Sequence, residues 1–176
     1  MKVIVLGVLT FFISFVTCEN EQKEAVTLKR ANPEDSIIQT NLSIYIDSCW
    51  NKVDTTFLSQ IATDKFERNL NGIVVAKTKR EMQAHMNLFF NAFPDLHLTL
   101  NKAYRLDNSA FLLWTCSGTH TGIFGETVAT GKKVNVQGIS QLHFDTEGNL
   151  YSEDVIYNEL NLLQQLGYTL NLPILE

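Results

Sequence analysis

Three side chains near the carboxyl-terminal end of the sequence are suited to moving protons: Glu153, Asp154 and His120. Glu153 and Asp154 are neighbours in a stretch, Leu150 to Tyr157, that reads as a strand, so their side chains point to opposite faces. At most one of them enters an interior. Burial in an apolar cavity raises the proton affinity of a carboxylate and fits it for acid–base work near neutral pH. The competing reading is a pair of solvated acids beside a hairpin, since acids are mostly exposed. His120 ends a strand just before a glycine-punctuated loop, Gly122 to Gly131, where it can reach a pocket mouth as a proton carrier. Its duller alternative is a partly exposed histidine at a strand end.

Other chemistries lack their residues. His97 and His143 read as polar members of alternating strands, and no His-x-x-x-His or comparable spacing suggests a metal site. There is no Gly-x-Ser-x-Gly nucleophile elbow. Cys49 lies on an apolar helical stripe and Cys116 inside a strand, settings in which thiols are inert. Ala129-Thr130-Gly131-Lys132-Lys133 imitates the tail of a phosphate loop. However, Glu126 stands where the first glycine belongs, and Lys133 replaces the magnesium-binding Ser or Thr. Tyr45, Trp50 and Trp114 are core residues that can also line a cavity, where an indole offers area and one donor to an oxygenated ligand.

Helices come first and strands second. Asn32-Pro33-Glu34-Asp35 starts a helix, with an amide cap, proline in the first turn and acids at the positive dipole end. Its apolar stripe is Ile38, Leu42, Tyr45, Cys49 and Val53. Asp54-Thr55-Thr56 caps a short helix through Ile61, and Thr78-Lys79-Arg80-Glu81 has capping-box spacing ahead of Met82, Met86, Phe89, Phe90 and Phe93. Pro94 stops that helix. From Leu96 the period becomes two. Leu96, Leu98 and Leu100 alternate with polar residues ahead of a turn at Asp107-Asn108, and further strands are expected at 110–120, 132–144 and 150–157, with a tight turn at Glu147-Gly148-Asn149. A closing helix runs to Leu166, with Gly167 as its left-handed cap. This order predicts an α+β fold with a curved antiparallel sheet.

The chain has 176 residues, 45% apolar and 19% charged, with a net charge of −5. That is one domain's length with a globular composition, and its sign opposes nucleic-acid binding by phosphate neutralisation. Three cysteines are too few for a disulfide scaffold. Residues 3–17 are uncharged and end at Cys18, after which the text turns polar, the pattern of a secretory signal peptide. Phe15-Val16-Thr17-Cys18 is similar to a relaxed lipobox, which would make Cys18 the lipidated first residue of an exported, membrane-anchored protein. Ordinary cleavage after Cys18 is the alternative. The expected organisation is a signal peptide at 1–17, a tether at 18–32, one domain at 33–170 and a tail at 171–176.

Several segments resemble the SnoaL-like polyketide cyclase and ester cyclase group of the nuclear-transport-factor-2-like superfamily. They are Phe93-Pro94-Asp95-Leu96, Trp114 with Gly118-Thr119-His120-Thr121-Gly122, Thr130-Gly131-Lys132, Gly148-Asn149-Leu150 and Leu163-Gln164-Gln165-Leu166-Gly167, in the family's order over residues 36–168. The resemblance implies a cone in which a bent sheet wraps the helices around an apolar pocket for a small hydrophobic molecule. It implies no metal or organic cofactor, and a homodimer through the convex sheet face. It also implies acid–base ring closure by an aspartate on the last strand, but that position falls on Val155, and a companion histidine position falls on Gln141. If Val155 faces inward, Glu153 shares its face; otherwise Asp154 is the inward acid. Two functions follow from this: a cofactor-free cyclase, isomerase or lyase using Glu153 or Asp154 with His120, or a non-catalytic binding or interaction domain on a lipid tether.

Overall fold

The first helix, α1 (Pro33–Ser43), continues without a break into a π-helical segment, Ile44–Trp50. The wider winding is visible in two i to i+5 hydrogen bonds, Asn51 N–H to the Ile46 carbonyl (3.0 Å) and Asp54 N–H to the Cys49 carbonyl (3.2 Å). It changes which residues face inward. Tyr45, Ile46, Cys49 and Trp50 are all buried, two adjacent pairs where α-helical spacing offers a narrower stripe. Val53, with φ of 57°, lies past the end of this segment instead of extending its stripe.

The structure is a computed structural model that describes residues 33–171. The candidate signal peptide, Cys18, the tether and residues 172–176 lie outside the described residues. Among the described residues, no helix is long and apolar enough to cross a membrane.

Asp54 caps a 3-10 turn, Thr55–Phe57, by accepting from Thr56 N–H, and α2 (Leu58–Ile61) follows it. A hairpin, β1 (Ala62–Leu70) and β2 (Ile73–Ala76), then precedes α3 (Lys79–Ala92). Thr78 caps α3 by accepting from Glu81 N–H at 3.1 Å, while Glu81 reaches back to Lys77 N–H at 2.7 Å. Next come β3 (His97–Leu106), β4 (Ser109–Thr119), β5 (Lys133–Phe144), β6 (Leu150–Tyr157) and α4 (Glu159–Leu166). Gly167 closes α4 in the left-handed region, φ 108°, as its position in the sequence predicts.

The strands form one six-stranded sheet in the order β2-β1-β6-β5-β4-β3. The all-antiparallel expectation needs one correction: β1 runs parallel to β6, so the sheet is mixed. Bulges at Arg68/Asn69, Leu100/Lys102 and His143/Phe144 interrupt the ladders, and such extra residues bend the strands that carry them. The inward face is apolar: Phe66 and Leu70 on β1, Ala110, Leu112 and Trp114 on β4, Val134, Val136 and Leu142 on β5, and Val155 on β6. The helices pack on it through Ile38, Leu42, Leu58, Met82, Met86, Leu162 and Leu166. At roughly 1.5–3 kcal/mol per large buried apolar side chain, this shared core is the main favourable term holding helices to sheet.

Candidate active site

Strand parity decides which side chains reach the interior. On β6 the inward residues are Glu153, Val155 and Tyr157, with Val155 almost fully buried. Glu153 is therefore the acid that enters, at 3% exposure. Asp154 points to the other face, where it accepts from Asn69 Nδ2 at 2.9 Å and lies 3.4 Å from His143 Nε2. On β5 the same alternation turns Ser140 inward and Gln141 outward, so Gln141 has no place in the cavity wall.

The cavity, about 70 Å³, is lined mainly by apolar groups, among them Leu98, Leu112, Val134, Val136 and Leu162. Tyr45, Trp50 and Trp114, chosen from sequence as lining residues, all border it.

At one end of the cavity lies a charge cluster. Arg68 on β1 makes a salt bridge to Glu153 Oε2 through Nη1, and both side chains are buried. The Tyr45 hydroxyl donates to the same oxygen at 2.5 Å, and Arg68 Nη1 also donates to the Tyr45 oxygen at 3.2 Å. The guanidinium carbon stands 5.3 Å from the centre of the Trp50 ring, which adds a cation–π contact. Burial, and next the neighbouring Glu153 carboxylate, hold the Tyr45 phenol well above its ordinary range, so it stays a donor. Both protein contacts to the carboxylate fall on Oε2, leaving Oε1 for a molecule in the cavity.

The arrangement follows from the β1–β6 pairing, in which Arg68 and Glu153 are direct cross-strand partners. Sequence reading missed Arg68 because it left 62–77 without strands. The signal was present: Asn71-Gly72, both at positive φ (50° and 84°), is a two-residue hairpin turn between Leu70 and Ile73-Val74-Val75. His85 on α3 was also passed over. Burial, with a smaller contribution from the Arg68 charge, lowers its pKa to about 4, so it is neutral beside the cluster.

His120 is fully buried but does not line the cavity. Its ring packs 5.3 Å from that of Phe93, which does line it. Its Nδ1 accepts from Thr130 N–H (3.2 Å) and contacts Thr130 Oγ1 (3.0 Å). Around it the 120–132 loop is clipped to the end of α3: Thr121 and Gly122 N–H both donate to the Ala92 carbonyl. A Cβ on Gly122 would stand 1.8 Å from the Asn91 oxygen, so only glycine fits there. Asp95 completes the clip by accepting from Thr119 N–H and Oγ1, each at 2.6 Å. These segments thus act in docking the loop, and His120 is one of the pins.

Cys49 and Cys116 are free thiols, each pushed up to about 12 by burial. Among the described residues, no three His, Cys, Asp or Glu side chains converge as a metal site would require.

A sequence model for SnoaL-like polyketide cyclases matches residues 42–166. The chain belongs to the SnoaL-like polyketide cyclase family. Solved structures agree on the fold. A Jannaschia sp. CCS1 protein assigned as a SnoaL-like polyketide cyclase superimposes with a TM-score of 0.72 at 14% identity, over 78% of this chain and 96% of that one. A SnoaL-like polyketide cyclase from Agrobacterium tumefaciens gives 0.60 at 17% identity, over 74% and 98%. A phenazine biosynthesis-related protein from Pseudomonas aeruginosa gives 0.64 at 14% identity, over 80% and 92%. No curated protein matches the chain in sequence. Within this SnoaL-like chain, the inward carboxylate is one inward position away from Val155, with a guanidinium as its partner.

Because the Arg68–Glu153 pair is buried, removing one partner strands the other. Arg68→Met is expected to lower unfolding free energy by about 3–5 kcal/mol, and Arg68→Met with Glu153→Leu to recover most of it. Urea unfolding measures both; equal losses in the single and double variants would show that the pair carries no such penalty.

Proposed function

We propose that this SnoaL-like protein binds a small, mainly hydrophobic oxygenated molecule in the cavity and acts on it by cofactor-free acid–base chemistry, with Glu153 as the base. The observation that carries this reading is Glu153 itself, the one carboxylate in the cavity wall among the described residues, held through Oε2 with Oε1 left over. Oε1 would remove a proton next to a carbonyl, Arg68 and Tyr45 would keep the carboxylate in place, and the same oxygen would return the proton at another carbon or to an aldol product. Cyclase, isomerase and lyase reactions share that step. His120, pinned behind Phe93, assists through the loop and not by touching the ligand.

A second reading is a non-catalytic ligand-binding domain of an exported lipoprotein. Val155 favours it, since an apolar side chain occupies the position that the family resemblance gives to the catalytic aspartate. The lipobox-like Cys18 favours it as well, because a surface tether suits capture better than a cytosolic ring closure. We take the protein to be exported and anchored through Cys18. A homodimer is also proposed, through the outer sheet face, where Leu113, Ile139 and Ile156 form one cross-strand row and Ile139 and Ile156 are exposed.

Three experiments test these statements. Deuterium exchange at the α-carbons of cyclopentanone, followed by NMR, should be accelerated by the wild type. Glu153→Gln should lose that acceleration by about 10²–10⁴-fold while still binding the ketone. Binding without exchange in the wild type would leave the non-catalytic reading standing. Cys18→Ala should move the protein from the membrane to the soluble fraction, and continued retention would rule out lipid anchoring. Ile156→Lys should turn a dimer into a monomer in analytical ultracentrifugation; an unchanged sedimentation coefficient would exclude this face.

A further inference from the structure

The donors and acceptors of the cavity wall do not balance. At the charged end, Arg68 Nη1, Tyr45 Oη and Glu153 Oε2 satisfy one another. On the neighbouring strands, Trp114 Nε1 donates to Ser140 Oγ at 3.0 Å. Two buried groups in the wall have no partner among the described residues, and both can donate: Arg68 Nε and the Tyr157 hydroxyl. Burying a hydroxyl unpaired is costly, and a phenylalanine would fill the same space without that cost.

Tyr157 is also firmly placed. Its backbone N–H donates to Asn71 Oδ1 at 3.0 Å, which ties the end of β6 to the β1–β2 turn. Gly138 pairs with it across β5 and β6, and Trp114 pairs with Gly138 across β4 and β5. A Cβ at Gly138 would stand 2.2 Å from Trp114 Cζ2, so the indole lies over the glycine, with its ring centre 6.3 Å from that of Tyr157. Burial raises the phenol's pKa, so the hydroxyl is a donor throughout the physiological range. Glu153 and Tyr157 are two inward positions apart on one strand, with about 13 Å between their backbones.

Resting on the reading of this cavity as a ligand site, we propose that Tyr157 is its specificity-determining residue and that the ligand is a small, uncharged carbonyl compound whose oxygen accepts from the Tyr157 hydroxyl. Charge supports the uncharged form. Arg68 and Glu153 already neutralise each other, so a carboxylate or ammonium would enter an apolar space with no counter-charge left for it. Volume supports the small one, the space being about 70 Å³. Both unpaired groups can donate, which supports a ligand oxygen that accepts, as a carbonyl oxygen does.

The chain's two tryptophans, Trp50 and Trp114, both border the cavity, so tryptophan emission reports its occupancy. Three probes of matched shape are titrated into the wild type and Tyr157→Phe: cyclopentanone, its hydrocarbon analogue methylenecyclopentane, and cyclobutanecarboxylate. The wild type should bind the ketone about tenfold more tightly than Tyr157→Phe does, while the hydrocarbon binds both proteins equally and the carboxylate binds neither. Equal ketone affinity in the two proteins, or binding of the carboxylate, would overturn the assignment while leaving the cavity a ligand site. If neither the ketone nor the hydrocarbon changes the emission of the wild type, the ligand-site reading falls and this assignment falls with it. Unfolding of Tyr157→Phe at or above the wild-type urea midpoint confirms that the comparison is between two folded proteins.

Discussion

A guanidinium and a carboxylate meet where almost every other inward side chain is apolar, and much of the architecture serves that meeting. Arg68 and Glu153 would each be costly to bury alone. Together they are tolerated because Tyr45 donates to the shared oxygen and Trp50 lays its ring against the guanidinium. Tyr45 and Trp50 come from the same π-helical segment, and the extra residue in its turn is what lets positions five apart face the same cluster. Helix winding, strand pairing and charge neutralisation thus depend on one another. A segment with ordinary α-helical spacing would shift one of the two aromatic groups away from the pair.

The sheet contributes the other half. It is the parallel β1–β6 contact that sets Arg68 opposite Glu153. The segments around the long loop have a different task. Phe93 to Leu96, Gly118 to Gly122 and Thr130 to Lys132 dock a long loop on the end of α3 and press Phe93 into the cavity wall. These segments therefore shape the cavity wall, and the charged pair supplies its polar groups.

Much of this was legible in the sequence. Caps at Asp54, Thr78 and Gly167, the change of period at Leu96 and the boundaries of β6 follow from local chemistry, and the structure has them. The inward acid followed by parity once Val155 faced inward. The β1–β2 hairpin did not emerge, because Arg68 occupies an inward position and breaks the apolar alternation that marks a half-buried strand. The residue that hid the strand is the one that makes the site. His120 and Gln141 mislead for a related reason: residue type suggests chemistry, but only backbone parity and packing decide whether a side chain reaches the cavity. The π-helical turn is equally silent, since an apolar stripe with one additional buried residue per turn reads as an ordinary amphipathic helix.

The charge pair joins residues 85 positions apart, and this separation has a bearing on how the chain comes to be folded. Helices α1 to α3 and the first hairpin are all synthesised before β6 exists. Until the last strand arrives, Arg68 has no carboxylate to meet and the interior it belongs to has no closing wall. The amino-terminal half is therefore not a self-sufficient folding unit, and closing that long loop is a late, non-local event of the kind that slows folding. The interior is thus completed only when almost the whole length of the chain is available.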